Sequence, residues 1–366
     1  MKTSGPGASL LKSHHREAAM GWLMAAPAIV LVFTFLILPF IMAFGLAFTN
    51  QRLISPNPTE WVGTRNFQRL LSVRRLVLEP LRDENGQVLL DEQGDSQYPD
   101  LRDFTRSDSY PQYRGMREWF SYSRGDNRVV LLASDVVFIK AIFNTLFFTV
   151  SIVPLQGGMA LVLALLLNRT LRGIHVFRTM FFMPVVVSMV VVSFLWRFIY
   201  DGQNGLLNSV LAWVSLGAFQ PVDWLGNTAT AMPAIIAMST WQGVGFHMVI
   251  WLAGLQSIPI IRYEAASIDG ASPWQQFINV TWPGLKNTAV FVFLVITMQS
   301  FALFIQIAAM TRGGPLDSTQ SIVFQAVQRG YGKQDIAGGS AISVILFVIV
   351  LIVSLVQRYL TREKNA

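Results

Sequence analysis

The sequence predicts an all-α polytopic membrane protein with six transmembrane helices and an inserted external loop or small domain. Of its 366 residues, 13% are charged and 52% are hydrophobic, whereas about 25% of the residues of a soluble domain are charged. Many hydrophobic residues fall in runs of about 20, the length that a helix needs to cross a bilayer. This composition excludes a disordered chain and disfavours a soluble enzyme, because too few charges are left to cover a globule of this size.

Six apolar runs are predicted to span the membrane: Trp22–Phe48, Val137–Leu167, Val176–Tyr200, Ala231–Leu255, Thr288–Met310 and Ile336–Val356. Pro39 is expected to kink the first run. A cleaved signal peptide is an alternative for this run, but it is longer than the roughly 7–15 apolar residues of such a peptide. A transmembrane helix is therefore favoured.

The charged residues concentrate between the first two runs. Residues 49–135 hold 13 of the 21 acidic and 12 of the 28 basic residues. We therefore predict an extracytoplasmic insertion over 49–136, between a first helix (22–48) and a five-helix core (137–358). The remaining segments, 1–21 and 359–366, are predicted to be cytoplasmic tails. Within the insertion, Glu84–Leu90 favours a turn and a strand.

Basic residues in the short loops predict the orientation. They lie at the N-terminus (Lys2, Lys12, Arg16), after the second run (Arg169, Arg172, Arg178), after the fourth (Arg262, Lys286) and at the C-terminus (Arg358, Arg362, Lys364). Six spans place all four segments on one side, which is predicted to be cytoplasmic. The net charge of +7 then reflects membrane topology, because no basic stripe interleaved with aromatic residues points to nucleic acid.

Motifs for enzymatic chemistry are absent from the sequence. It has no GxxxxGK[ST] phosphate loop, no HExxH zinc motif and no GxSxG nucleophile elbow. It also has no cysteine, which excludes disulfides and thiolate metal sites. We therefore expect a chain that is not an enzyme, binds no metal or other cofactor itself, and has no ATPase site of its own.

The loop after the fourth run, 256–286, is the most informative segment. Pro259 suits a first helical turn, Gly270 suits the left-handed end of a helix, and Pro283 interrupts the chain before the fifth run. Two short helices that meet at Gly270 are predicted. From spacing alone, an amphipathic connector lying on the bilayer is an equal alternative.

This loop, EAASIDGASPWQQFINVTWPGLK, resembles the EAA loop of ABC importer permeases. The matching residues are Glu264, Ala265, Ala266, Asp269, Gly270, Ala271, Phe277 and Pro283. Further matches are Trp61–Gly63 with Asn66–Phe67, Asn144–Thr145, Phe181–Pro184, Thr311–Pro315 and the closing run into Gln357–Arg358. Together they resemble the carbohydrate-importer branch, specifically its maltose-permease-like subunit, and imply the type I ABC importer permease fold.

The resemblance implies a permease subunit of an ATP-driven, binding-protein-dependent importer in a bacterial cytoplasmic membrane. The implied partners are a second homologous permease subunit, two copies of an ABC ATPase that hydrolyse ATP with Mg, and an extracytoplasmic substrate-binding protein. The implied substrate is a sugar, an oligosaccharide or a related polyol. The residues implied to couple to the ATPase are Tyr263, Glu264, Ala265, Ala266, Asp269, Gly270 and Ala271. For the insertion, a solvated segment and a contact surface for the binding protein are both open.

The substrate pathway is predicted near the bilayer midplane, where polar side chains are costly unless they have a function. The candidates combine hydrogen-bonding groups with aromatic faces, as sugar recognition requires: Trp241, Gln242, Gly243, Phe246 and His247 in the fourth run, and Gln299 and Ser300 in the fifth. Gly243, Phe246, Gln299 and Ser300 fall at positions that resemble the sugar contacts of maltose-type permeases. Ile296 and Leu303 depart from that pattern, since a polar residue is expected there. The alternative is that Gln242, His247 and Gln299 only hydrogen-bond between helices.

A self-sufficient secondary transporter or channel is the alternative function, and a membrane enzyme is a third. Secondary carriers often use carboxylates inside the membrane for coupling ions. No Asp or Glu lies inside a predicted span, which argues against proton coupling.

Overall fold

The computed structural model describes residues 7–90, 94–169 and 172–361, with side chains from residue 20 onward. Of the basic residues that predict the orientation, Lys2, Arg362 and Lys364 lie outside the described residues, and Lys12 and Arg16 lie outside the described side chains. The described chain is mainly helical, which confirms the predicted fold class, but the insertion also contains a β-sheet.

The helices and strands follow one another in this order: α1 (Gly7–Val32), α2 (Leu38–Leu46), α3 (Arg65–Leu71), β1 (Val73–Leu78), α4 (Leu101–Thr105), β2 (Arg117–Arg124), β3 (Asn127–Ala133), α5 (Val136–Leu167), α6 (Ile174–Val186), α7 (Met189–Ile199), α8 (Leu206–Val214), α9 (Ala231–Gln256), α10 (Ile260–Ile268), α11 (Pro273–Gln276), α12 (Trp282–Gly284), α13 (Lys286–Phe301), α14 (Ile305–Met310), α15 (Ile322–Val327) and α16 (Ile336–Thr361). Four uninterrupted helical segments are long and apolar enough to cross a membrane: Met20–Leu46, Val136–Leu167, Ala231–Gln256 and Ile336–Thr361. A π-helical turn, Phe33–Ile37, joins α1 to α2 just before Pro39.

The third predicted span is not one straight helix. It consists of α6 and α7, which meet at a bend of 98°. Val187 and Ser188 adopt extended backbone conformations between them. Pro184 weakens the end of α6 because it has no N–H to donate to the preceding turn. Apolar composition predicted the length of this segment but could not show the break.

The fifth predicted span, Thr288–Met310, is also interrupted. Helix α13 ends at Phe301, and α14 resumes the helix at Ile305. The Leu303 carbonyl, freed by the break, accepts a hydrogen bond from the buried Ser321 hydroxyl. Before α13, the segment Pro273–Gly284 meets it at 67°. A polar side chain from a distant loop therefore pairs the backbone where the span is broken.

The insertion forms a three-stranded antiparallel sheet in the order β1-β3-β2. Its small core includes Leu76, Leu78, Met116, Val130 and Leu132. In the predicted turn and strand over Glu84–Leu90, a turn is observed at Asp83–Gln87, flanked by the bridged pair Arg82 and Val88. This hydrophobic core makes the insertion a folded small domain.

Helices α5, α9 and α13 form the centre of the membrane core. Gly157 in α5 packs against two aromatic side chains. Its carbonyl accepts a hydrogen bond from the Trp251 indole at 3.1 Å. A Cβ atom at Gly157 would lie 3.0 Å from Phe293 Cδ1. Small residues that allow close helix contact are typical of packing in membranes.

One sequence motif contacts the loop that follows another. Asn144 donates to the Asp317 carbonyl at 3.0 Å, and the Thr145 hydroxyl accepts from the Ile322 amide at 3.1 Å. The loop that contains Thr311–Pro315 is thereby held against α5. The Asn144–Thr145 motif thus has a structural role in this chain.

Gly245 in α9 provides a test of the packing between α6 and α9. A Cβ atom at Gly245 would overlap the Phe181 carbonyl group and lie 2.9 Å from Phe182 Cα, so the two helix backbones would have to separate. We expect Gly245→Ala to destabilise the protein by about 1–3 kcal/mol, measured as a lower thermal unfolding midpoint in detergent. Gly158→Ala is the matched control, because nothing lies within 4 Å of its Cβ position. Equal midpoints for the two variants would contradict this packing.

Candidate functional site

A cavity of about 350 Å³ lies among α5, α9 and α13, near the middle of α9. Its lining is Phe148, Ile152, Gln156, Val185, Met189, Ser239, Gln242, Gly243, Phe246, His247, Ile296, Gln299, Ser300 and Gln306. The structure therefore brings six of the seven predicted pathway residues together around one space. Ile296, which departs from the expected polar pattern, also lines it, whereas Leu303 is buried outside the lining.

Both helix breaks open onto this cavity. Val185 and Met189 flank the bend between α6 and α7, while Ser300 and Gln306 lie on either side of the interruption between α13 and α14. Irregular backbone at membrane depth is tolerated where protein buries it or where it lines a cavity. Discontinuous helices of this kind commonly mark binding sites in transporters.

Two polar groups of the lining are buried without a hydrogen-bond partner in the described part of the chain: Ser239 Oγ and His247 Nε2. The other imidazole nitrogen, Nδ1, lies 2.9 Å from the Gly243 carbonyl. Because a carbonyl can only accept, Nδ1 carries the proton, and in the neutral ring Nε2 is an unpaired acceptor. A buried polar group without a partner costs about 1–3 kcal/mol, so these two atoms favour a hydroxyl-bearing ligand.

Four glutamine side chains surround the same space: Gln156, Gln242, Gln299 and Gln306. Within the described residues, none of these amides forms a hydrogen bond to another helix, so interhelical pairing does not account for them here. Ser300 behaves differently, since its hydroxyl donates to Thr149 Oγ1 across α5 and α13 at 2.8 Å. Ser300 is thus a predicted pathway residue that also forms a hydrogen bond between two helices.

Gln156 is a lining residue that the sequence analysis missed. It is 5% exposed, and a Cβ atom at Gly243 would overlap its amide. The missing side chain at Gly243 therefore leaves room for the Gln156 amide at the cavity wall. An amide within the largely apolar run of α5 was the signal that could have identified it, although Asn144 in the same helix carries an amide as well.

Trp241 does not reach this cavity. Its ring packs edge-on against Trp196, with 5.5 Å between centroids, and it lines a separate apolar groove with Leu155 and Met180. Two residues along an α-helix turn the side chain by about 200°, so Trp241 and Gly243 face opposite sides of α9. Phe246 supplies the aromatic face of the cavity from α9 instead, with its ring edge-on to His247 at 5.2 Å.

The predicted loop forms two short helices, α10 and α11, that meet at Gly270. Gly270 has φ +78°, a left-handed conformation that glycine adopts without strain. Ser272 and Gln275 form a capping box at the start of α11. Tyr263 hydrogen-bonds Thr281 at 3.0 Å, which ties α10 to the segment that leads into α13. These contacts hold α10 and α11 together as one unit.

The outer face of this loop combines a carboxylate with apolar side chains. Glu264 is exposed and forms no ion pair or side-chain hydrogen bond within the described residues. Ile260, Ile268 and Trp274 are 74%, 87% and 67% exposed. Such a patch marks an interaction surface. Ala265, Asp269 and Gly270 are exposed with Glu264, whereas Tyr263, Ala266 and Ala271 are partly buried, so Tyr263 braces the loop from within.

The loop connects directly to the two helices that contribute most of the predicted pathway residues. It follows α9, which carries Gln242 to His247, and it precedes α13, which carries Gln299 and Ser300. A displacement of the loop would therefore act on both sides of the cavity. This arrangement can transmit motion between a surface and an internal polar space.

Comparisons with known proteins identify the family of the chain. Residues 136–365 match the family described as "Binding-protein-dependent transport system inner membrane component". The chain is 30% identical over 340 residues to the trehalose/maltose transport system permease protein of Thermococcus litoralis, covering 93% of this chain and 92% of the relative. It is 34% identical over 244 residues to the probable starch degradation products transport system permease protein of Thermoanaerobacterium thermosulfurigenes, covering 66% and 81%.

A solved structure shares the fold. It is a chain of a bacterial ABC transporter involved in the import of the acidic polysaccharide alginate, with a TM-score of 0.69 and 20% identity. The alignment covers 98% of this chain and 100% of that chain. It therefore spans nearly the whole protein, including the insertion.

Proposed function

The chain belongs to the family of binding-protein-dependent transport system inner membrane components, and we propose that it forms half of the pathway for a sugar, an oligosaccharide or a related polyol. It is a permease subunit of an ABC importer with the type I permease fold. The observation that carries the substrate class is the cavity itself. It combines unpartnered Ser239 and His247 groups with glutamine amides and the Phe246 ring, as recognition of a polyhydroxylated ligand requires.

The proposed energy source is ATP hydrolysed with Mg by two copies of a partner ATPase, because this sequence has no phosphate-binding loop. The exposed face of α10, with Glu264, is the proposed docking surface for one ATPase. A second, homologous permease subunit completes the pathway, and an extracytoplasmic protein delivers the substrate. The family description, which names a binding-protein-dependent transport system, supports the binding protein in this assembly.

The proposed location is a bacterial cytoplasmic membrane, with both termini in the cytoplasm. The α10–α11 loop then faces the cytoplasm, and the insertion lies on the opposite side. Arg169, Arg172, Arg178 and Arg262 lie on the proposed cytoplasmic side, in agreement with the usual bias of basic residues.

Reversing the charge at Glu264 tests the docking surface. We expect Glu264→Lys to leave folding intact, because this side chain has no partner in the described structure. ATPase binding should weaken and uptake should fall by about tenfold or more, since one charge pair at an interface is worth about 1.5 kcal/mol or more. The measurements are co-purification of the ATPase and uptake by whole cells.

Asp126→Lys makes the same charge change at the exposed β2–β3 turn and should preserve both. Wild-type co-purification and uptake in Glu264→Lys would contradict the proposal.

Replacing Gln299 by leucine tests the pathway. Gln299→Leu removes an amide that lines the cavity and bonds to no other helix in the described chain. We expect uptake per assembled transporter to fall about tenfold, as for the loss of one hydrogen bond to a ligand, while the amount of assembled complex stays near that of wild type. Both quantities can be measured in the same membranes.

Gln357→Leu in α16 is the contrasting variant, because the Gln357 amide donates to Thr297 at 2.8 Å outside the cavity lining. It should lower the amount of assembled complex more than the uptake per complex. If Gln299→Leu and Gln357→Leu behaved alike, Gln299 would be a packing residue and its role in the pathway would be contradicted.

A further inference from the structure

A second, strongly basic cavity lies at the opposite end of the molecule from the α10–α11 loop. Its volume is about 670 Å³, and it lies between the insertion and the ends of the membrane helices. Its charged lining comprises six cations and one carboxylate: Arg65, Arg69, Arg114, Arg117, Arg329, Lys333 and Asp135. Neither the proposed transport pathway nor the proposed docking surface uses these residues.

The carboxylates of the described chain do not neutralise this cavity. Asp135 pairs with the buried Arg329, which also lies 3.9 Å from Asp335. Arg114 pairs with Asp108 at 3.0 Å, and both of these side chains are largely exposed. The other four cations, Arg65, Arg69, Arg117 and Lys333, have no ion pair or side-chain hydrogen bond in the described structure. Uncompensated like charges around one concave space favour an anionic ligand.

The basic cavity lies next to the ends of the membrane helices. Asn66 donates to the carbonyls of Ala47 and Thr49, both at 2.8 Å, which fixes α3 against the end of the first span. Val136 and Val137, in the first turn of α5, form part of the cavity wall. Helix α3 therefore places Arg65 and Arg69 at the membrane boundary.

Aromatic and apolar side chains near the ends of the same helices, outside the cavity lining, also indicate a membrane boundary. Trp61 is 70% exposed and stacks on Phe48 at the end of the first span, and Trp119 of the insertion stacks on Phe143 of α5. Tryptophan is enriched at the level of lipid headgroups. Leu71, which follows Arg69 closely in α3, is 46% exposed, so an apolar surface adjoins the basic one.

We propose that this cavity binds the phosphodiester headgroup of an anionic phospholipid, such as phosphatidylglycerol, in the outer leaflet. Arg65 and Arg69 are four residues apart and share one face of α3, which suits two guanidinium groups that contact one phosphate. The concave basic site matches the charged headgroup of such a lipid, and the exposed apolar side chains beside it match the acyl chains. Basic residues are disfavoured in short loops on this side of a membrane. Lys333 lies in such a loop, before α16, and an anionic lipid headgroup would account for its positive charge there.

The test uses the full complex, purified with its ATPase and second permease subunit and depleted of lipid. Phosphatidylglycerol and phosphatidylcholine are added back separately, and bound lipid is counted by native mass spectrometry. Wild type should retain phosphatidylglycerol in preference to phosphatidylcholine. The double variant Arg65→Gln/Arg69→Gln should weaken phosphatidylglycerol binding by roughly 10- to 30-fold. Arg75→Gln/Arg124→Gln removes two exposed arginines of the insertion outside the cavity and should bind as wild type does.

Three results would overturn the proposal. The first is equal phosphatidylglycerol binding by wild type and the Arg65/Arg69 variant. The second is displacement of the lipid by millimolar inorganic phosphate, which would assign the site to a free anion. The third is a loss of binding-protein-stimulated ATP hydrolysis in the variant that is as large in pure phosphatidylcholine nanodiscs as in phosphatidylglycerol nanodiscs, because the arginines would then contact protein. If the double variant fails to assemble, Arg117→Gln replaces it in the same comparison.

Discussion

Backbone that leaves the helical conformation inside a bilayer has to find hydrogen-bond partners within the protein. This constraint shapes the membrane core of the chain. The break after α13 frees the Leu303 carbonyl, and Ser321 pairs it from a loop that Asn144 and Thr145 hold against α5. The break between α6 and α7 lies at the same cavity. The polar cavity therefore lies where two spans are interrupted, and Ser321 pairs the backbone at one of the two breaks.

The cavity and the α10–α11 loop are mechanically linked. Helix α9 enters the loop, and α13 leaves it, so the loop joins two walls of the cavity through continuous chain. Bracing by Tyr263 and by the Ser272 capping box lets the loop move as one piece. Its exposed face offers both an apolar contact and the unpaired Glu264. These features suit the proposed coupling, in which closure of an ATPase changes the access to the cavity.

The fold class could be predicted from the sequence because apolar run length and loop motifs are local signals, and six of the seven predicted pathway residues line one cavity. The helix breaks could not be predicted, because a straight helix and a bent one can have the same apolar run. Composition favours Trp241 as an aromatic pathway residue, but its helical phase places it on the side of α9 opposite Gly243. Gln156 lies in a run with other polar side chains, such as Asn144, so its place at the cavity depends on how α5 packs. The sheet of the insertion depends on pairing between distant segments, such as β1 with β3, which a linear pattern does not encode.

The absence of cysteine from the sequence permits a direct measurement of whether the cavity changes its access with the ATPase cycle. A single cysteine at Gln299 in the full assembly would be labelled with a membrane-impermeant thiol reagent from the cytoplasmic side of inverted vesicles, with Trp241→Cys as the comparison site. We predict that trapping the nucleotide with vanadate slows labelling of Gln299→Cys by about tenfold or more and leaves Trp241→Cys unchanged. Equal labelling rates for Gln299→Cys with and without trapped nucleotide would contradict an alternating-access pathway at this cavity.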